Sequence, residues 1–64
     1  MKADNYIVII EDETFDLPKD MPVPERGSVI FIGGRKGKVG VVDTVKYHIS
    51  DGKIDMIIVY TTKQ

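Results

Sequence analysis

Residues 27–45 read GSVIFIGGRKGKVGVVDTV, two runs of strand-forming residues joined by a glycine-rich basic turn. The valines and isoleucines on either side suit the pleated, half-buried surface of a β-strand. Gly33, Gly34, Gly37 and Gly40 lie within eight positions, and glycine adopts backbone angles that other residues reach only at a cost. We therefore expect a sharp chain reversal here, in a hairpin around which the other strands assemble.

The same stretch resembles the KOW motif of large-subunit ribosomal proteins and transcription elongation factors. The resemblance is carried by Gly33, Lys36, Gly37, Lys38, Gly40, Val42 and Val45, preceded by Gly27 and the apolar residues 29–32. It covers about a third of the chain. In that family the motif forms the first hairpin of a small SH3-like barrel and commonly contacts RNA or a nucleoprotein. The resemblance implies an all-β fold here, a small SH3-like barrel of four to five antiparallel strands.

Length and composition limit the class of protein. The chain has 64 residues and is expected to form one domain, residues 1–64, that buries about 60% of the surface exposed on unfolding. It contains no Cys, so a disulfide or thiolate metal site is excluded and a reducing, cytoplasmic setting is favoured. The longest apolar run, residues 6–10, is far shorter than the ~20 residues of a membrane-spanning helix, so we expect no membrane partner.

Charge is unevenly distributed, although the net charge is only −1. Residues 1–26 hold seven acidic and three basic side chains, a balance of −4, whereas residues 27–64 hold three acidic and six basic ones, a balance of +3. Such a division can hold an acidic loop close to a basic hairpin, or provide two surfaces for different partners. The alternative is that the charges only solvate a small surface.

The N-terminal half predicts one strand followed by a long loop. Residues 6–10, YIVII, are an unbroken apolar run typical of a strand that is covered on both faces. Residues 11–26 contain all three prolines and six of the ten acids, which predicts a loop, and loops of this length are often functional. Its apolar side chains either fill the core or, together with the acids, bind a partner. The candidate partner-binding residues are Glu13, Phe15, Asp16, Leu17 and Met21.

The C-terminal half predicts a second hairpin whose turn fixes its register. Ser50-Asp51-Gly52-Lys53 places an Asp-Gly pair between alternating segments, the signature of a two-residue type I′ turn. Counting outward from the turn assigns each side chain to one of two faces. The predicted core face holds Val41, Val45, Tyr47, Ile49, Ile54, Met56, Ile58 and Tyr60. The other face is polar except for Val42, Ile57 and Val59, a candidate patch for a dimer or another partner.

Few side chains suggest catalysis. His48 is predicted opposite Asp55 on the solvent face, within reach of a hydrogen bond, but no serine lies beside the pair in this register. The two residues would supply only two metal ligands, and the carboxylates of residues 11–16 lack the spacing of a calcium-binding loop. We therefore expect no catalytic residue, no metal, no cofactor and no enzyme activity.

The glycine-rich turn is a candidate contact for phosphate or RNA. Its backbone N–H groups and the cations Arg35, Lys36 and Lys38 could meet phosphates, although the spacing is not that of a P-loop. Stacking of RNA bases would also need an exposed aromatic side chain, and Phe31 is expected in the core. A turn that is merely solvated is the alternative.

These patterns favour a protein that binds over one that catalyses. The first hypothesis is an adaptor or inhibitor that docks on another protein through its barrel surface, its acidic loop or an exposed strand edge. The second is a KOW-like module that contacts RNA, a ribosome or a polymerase, which the negative net charge disfavours. The third is a homodimeric structural subunit. The compact size would also suit a phage accessory protein.

Overall fold

The computed structural model describes residues 4–35 and 37–63, which contain five β-strands and no helix. The strands are β1 (Asn5–Ile10), β2 (Glu13–Asp16), β3 (Val29–Ile32), β4 (Lys38–Ser50) and β5 (Lys53–Thr62). They form one sheet in the order β2-β1-β5-β4-β3, curled into a half-barrel. The predicted all-β class is confirmed. Within the same described part of the chain, no helix is long and apolar enough to cross a membrane.

The sheet is mixed, because β1 runs parallel to β5 while the other pairings are antiparallel. The expectation of antiparallel strands throughout is therefore wrong for this pair. β1 lies between β2 and β5, and an unbroken apolar strand is typical of such an interior, parallel position. Val8 pairs with Val59 in this ladder, and both are fully buried.

The predicted long loop is shorter than expected, because residues 13–16 form β2. Glu11 and Asp12 have φ of 49° and 66°, and positive φ at both central positions makes a type I′ turn between β1 and β2. Aspartate tolerates this left-handed conformation, and Phe15 then pairs with Val8 across the hairpin. Residues 17–28 are the remaining loop.

The hairpin of β4 and β5 has the predicted turn but not the predicted register. Asp51 and Gly52 have φ of 51° and 74°, as a type I′ turn requires, and Ile49 pairs with Ile54 as predicted. Asp55 then stands as an extra residue in β5, forming a β-bulge. Beyond it, each residue of β5 pairs one position away from its predicted partner.

Because of this bulge, the side chains of residues 56–60 point to the opposite faces of the sheet from those predicted. The observed pairs are His48–Met56, Tyr47–Ile57, Lys46–Ile58, Val45–Val59 and Thr44–Tyr60. A second irregularity, at Asp43 in β4, restores the predicted register, so that Val42 pairs with Thr61. Ile57 and Val59 consequently face the inside of the half-barrel, whereas Met56, Ile58 and Tyr60 face outward.

The core lies on the inner face of the half-barrel. Its buried residues are Tyr6, Val8, Ile10, Leu17, Val42, Ile57 and Val59, and the partly buried Phe15, Met21, Ile30, Ile32, Val45 and Ile54 pack against them. The prediction that Val42, Ile57 and Val59 form an exposed patch is wrong, because only 1%, 3% and 0% of their surfaces are exposed. The bulges at Asp55 and Asp43 are the reason, since they place these three side chains on the same face as Val45, which is the core face.

Several residues predicted for the core lie elsewhere. Val41, Met56, Ile58 and Tyr60 point to the outer face of the sheet. Tyr47 and Ile49 share the inner face with Val45 but are 47% and 62% exposed. The cause is that β1 pairs with β5 only as far as Met56, so the end of the β4–β5 hairpin projects beyond the other strands.

Residues 17–28 close the inner face. The Leu17 N–H donates to the Tyr6 carbonyl at 2.8 Å, and the Tyr6 hydroxyl donates to the Pro22 carbonyl at 3.2 Å. Leu17 and Met21 pack onto the core. Burial raises the pKa of the Tyr6 phenol, with a smaller contribution from Tyr47 nearby. The loop is therefore held at both its start and its middle.

Candidate protein-binding surface

The outer face of the sheet, opposite the core, carries an apolar area together with several polar side chains: Asn5, Thr14, Asp16, Thr44, Lys46, His48 and Thr62. Strand alternation and the observed pairing place one set of apolar side chains there: Ile7, Ile9, Val29, Phe31, Val39, Val41, Met56, Ile58 and Tyr60. Val29 and Phe31 are 55% and 70% exposed, and the others are half-buried. The strands form a single layer, and Leu17 and Met21 carry the loop onto the inner face. In the part of the chain that the structure describes, no second layer covers the outer face.

An open groove of about 430 Å³ lies at one end of this face. It is lined by Ile9, Ile10, Glu11, Asp12, Val39, Tyr60, Thr61, Thr62 and Lys63. Ile9, Val39 and Tyr60 give it apolar walls, and the exposed carboxylates of Glu11 and Asp12 stand on the turn beside them. Lys63 is the third charged residue of the lining, so two carboxylates and one ammonium group leave a net charge of −1 beside the apolar walls.

β3 is one edge of the sheet, and β2 is the other. Where β3 begins, the Gly27 N–H donates to the Val42 carbonyl and the Val42 N–H donates to the Ser28 carbonyl, both at 2.8 Å. Two residues thus oppose one, and Gly27 has φ of 92°, which is a G1-type bulge. The bulge sets which backbone groups of β3 point toward β4.

Hydrogen bonding alternates along an antiparallel pair of strands. Counting from the Ser28–Val42 bond, the backbone groups of Ile30 and Ile32 point toward β4. Those of Val29 and Phe31 point away from the sheet. The edge therefore offers two N–H groups and two carbonyls beside two exposed apolar side chains.

Phe31 lies against the basic turn and not in the core, where it was expected. Its ring lies 3.4 Å from the position that a Cβ on Gly37 would take. Arg35 is exposed in the same turn, and Lys36 lies outside the described residues. An exposed ring on a basic turn is a surface on which a nucleic-acid base can stack.

Lys38, the third predicted phosphate contact, is directed at carboxylates of the chain itself. Its Nζ lies 3.8 Å from Oε2 of Glu11 and 3.7 Å from Oε1 of Glu13. Exposed pairs of this kind contribute less than about 1 kcal/mol each. They nevertheless connect the basic hairpin to the acidic turn. The Lys38 ammonium group is paired with these carboxylates, so a phosphate would have to compete with them for it.

His48 and Asp55 form the predicted pair, and the bulge adds Ser50 to it. The His48 Nδ1 to Asp55 Oδ1 distance is 2.6 Å, and the Ser50 hydroxyl donates to Oδ2 at 2.9 Å. The hydrogen bond with His48 holds the pKa of Asp55 below its usual value, with a smaller contribution from Ser50. The carboxylate separates the hydroxyl from the imidazole, so the cluster lacks the contact between nucleophile and base that acyl transfer needs. No described group of three or more His, Cys, Asp or Glu residues could hold a metal ion.

The candidate residues of the acidic segment do not share one surface. Phe15, Leu17 and Met21 pack with the core, which is the alternative that the sequence left open. Glu13 and Asp16 are exposed on β2. Of these five candidate residues, the two carboxylates are therefore the exposed ones.

The apolar outer face is the feature that sequence reasoning missed. One signal for it was present, because the unbroken apolar residues 6–10 require cover on both faces of β1 and the core covers one. Comparison of the chain with protein-family models, curated proteins and solved structures found no match.

Proposed function

We propose that the chain is a non-enzymatic binding module that docks on a protein partner through the outer face of its sheet. The observation that supports this function is the apolar outer face, which has no second layer among the described residues. Sheets bury their apolar faces against another layer, and covering one half-buried Ile gains about 1 kcal/mol. A partner protein supplies that layer.

The groove indicates the chemistry of the partner. Its apolar walls are Ile9, Val39 and Tyr60, and its charged lining residues Glu11, Asp12 and Lys63 carry a combined charge of −1. The matching surface is apolar at its centre and carries a Lys or Arg at its margin. An acidic contact of this kind agrees with the acidic segment as part of the binding surface.

The proposal is tested by changing an outer-face isoleucine and a matched isoleucine elsewhere. Ile58→Thr keeps a β-branched residue on the outer face but removes apolar surface, and Ile49→Thr makes the same change at an exposed inner-face position. Each variant captures partners from nuclease-treated native lysate, and amide exchange verifies its fold. We expect Ile58→Thr to reduce capture about tenfold and Ile49→Thr to match the wild type.

Two results would contradict the proposal. Equal capture by Ile58→Thr and the wild type would remove the outer face as the docking site. Loss of all captured protein on nuclease treatment would show that nucleic acid, and not the sheet face, carries the association.

A second candidate function is a KOW-like contact with RNA, which the exposed Phe31 against the basic turn and the exposed Arg35 in that turn favour. Stacking contributes about 1–3 kcal/mol per base. Phe31→Ala should then weaken binding of a fluorescent single-stranded RNA by about tenfold, and Arg35→Glu should weaken it further. Tyr47→Ala, at an exposed aromatic residue away from the basic turn, is the control. Unchanged affinity of Phe31→Ala would exclude this mode.

The SH3-like architecture and the cytoplasmic setting are also proposals. Five strands in a curled sheet, with a glycine-rich turn between β3 and β4, support the first. The lack of Cys supports the second. An experimental structure compared with SH3-like barrels, strand by strand, tests the fold.

A further inference from the structure

We propose that β3 pairs with β3 of a second copy of the chain, antiparallel and about a two-fold axis at Ile30. This goes beyond the proposed function, because the resulting dimer leaves both outer faces uncovered and sets them side by side.

The backbone of β3 is complementary to itself. Val29 and Phe31 point their N–H and carbonyl groups away from β4. When Val29 stands opposite the partner's Phe31, these two residues exchange both hydrogen bonds, and the two-fold axis repeats the exchange. Ile30 then faces the partner's Ile30 at a position without hydrogen bonds. This register pairs every outward backbone group of β3.

The side chains of the edge fit the same register. Val29 and Phe31 are the two most exposed members of the outer face, at 55% and 70%. The pairing sets each Val29 against the partner's Phe31, and cross-strand pairs of an aromatic and a β-branched residue stabilise a sheet by about 0.2–1 kcal/mol. Both exposed side chains are thus partly covered.

One pair of opposite charges, Glu25 and Arg35, lies at the two ends of β3. Glu25 and Arg26 precede the strand and Arg35 follows it. Antiparallel pairing brings the end of β3 that carries Arg35 toward the end that carries the partner's Glu25. The two-fold axis makes two such contacts.

The other edge of the sheet shows why β3 is the edge that pairs. β2 carries Glu13 and Asp16, and charged side chains are a means by which edge strands avoid pairing. The four residues of β3 are Val, Ile, Phe and Ile, without a charge or a proline. A second copy therefore meets an unprotected, self-complementary edge at β3 and a protected one at β2.

The seam is short, so the dimer is weak. It involves four residues of each chain, much less than the roughly 20–30 residues per side of a standard interface. We expect a dissociation constant between about 1 μM and 1 mM. The monomer is then the main species in dilute solution.

Amide exchange at two protein concentrations, with sedimentation equilibrium, tests the proposal. Between about 20 μM and 2 mM protein, the amides of Val29 and Phe31 should slow about two- to ninefold over this range of dissociation constants, because their N–H groups are bonded only in the dimer. The amides of Ile30 and Ile32, bonded to β4 in either state, should not change. The mass should rise from 7.2 kDa toward twice that value.

Two variants with charged substitutions at the two sheet edges complete the test. Val29→Lys places a charge in the seam and should abolish both effects, whereas Thr14→Lys makes the equivalent change on β2 and should leave them intact. A mass of 7.2 kDa at every concentration would overturn the proposal. So would a dimer in which β2 amides, and not those of Val29 and Phe31, become protected.

The outcome is independent of the proposed docking function. Ile58→Thr changes the outer face away from the seam, so it should lose partner capture and still dimerise. Val29→Lys should lose the dimer whatever its effect on capture. A failure of either idea is therefore visible without the other.

Discussion

Replacing Gly40 with Ala tests how closely β4 and β5 approach each other. A Cβ at this position would stand 2.5 Å from Oγ1 and 2.7 Å from Cβ of Thr61, which is closer than packed atoms come. Thr61 cannot simply rotate away, because its hydroxyl donates to the Ile9 carbonyl at 2.7 Å. The added methyl group must therefore separate the strands or break that hydrogen bond.

The expected cost follows from three contributions. Overpacking costs about 1–3 kcal/mol. Loss of the Thr61 hydrogen bond adds about 1 kcal/mol. The lower entropy of unfolded Ala relative to Gly offsets about 0.4–1 kcal/mol. We expect the free energy of unfolding to fall by about 2 kcal/mol and Tm by roughly 8–16 °C for a domain of this size.

Thermal and urea unfolding measure the effect against two controls. Gly33→Ala makes the same substitution where the nearest atom to the new Cβ, in the Phe31 ring, is at an ordinary 3.8 Å, so its Tm should stay close to wild type. In a Thr61→Gly background, Gly40→Ala should cost much less, because the opposing side chain is absent. A Gly40→Ala protein that melts with or above the wild type would refute the close approach of the strands.

Three further predictions concern the core and the projecting hairpin. Val59→Asp should unfold the domain, because Val59 is 0% exposed and a buried carboxylate there would have no partner. Loss of amide dispersion in the NMR spectrum would report the unfolding. A variant that stays folded, as monomer or dimer, would show that Val59 lies at the surface. Tyr6→Phe should lower the free energy of unfolding by about 1 kcal/mol through loss of the bond to Pro22, and an unchanged value would discount that bond. His48→Ala should raise the pKa of Asp55 in a carboxyl NMR titration. The pKa of Asp55 is lower in the folded than in the unfolded protein. The pair therefore stabilises the fold fully at pH values above the pKa of unfolded Asp55, and this stabilisation is lost as the pH falls through the pKa of folded Asp55. Equal titration curves in the two proteins would contradict the role of His48.

Local chemistry made the tight turn of the C-terminal hairpin predictable. Asp51 and Gly52 accept the positive φ of a type I′ turn with little strain, and that preference acts within four residues. The same turn type at Glu11 and Asp12 was missed because neither residue is glycine and the prolines that follow dominate the pattern. Its occurrence there depends on the pairing of Phe15 with Val8, which is a tertiary effect.

The register beyond Ile54 could not be predicted from the hydrophobic pattern. β5 is apolar on both faces, since Ile57 and Val59 alternate with Met56 and Ile58. Either set could fill the core, and the pattern specifies a register only where one face is polar. The parallel pairing with β1 decides it, by setting Val59 beside Val8.

The same ambiguity hid the candidate site. β3 reads VIFI, so its sequence does not tell which pair of side chains is buried. The G1 bulge at Gly27 orients the strand so that Ile30 and Ile32 join the core and Phe31 faces out. Apolar residues on both faces of several strands thus indicate that the sheet face opposite the core is also covered, by another part of a protein.

Exposure of the methyl groups of β5 to a dissolved paramagnetic agent shows which face of the strand is buried. We expect strong broadening of the methyl signals of Ile58 and Met56 on the outer face. The signals of Ile57 and Val59, at 3% and 0% exposed, should remain sharp. The opposite result, with Val59 broadened and Ile58 protected, would restore the register without a bulge and remove the apolar outer face.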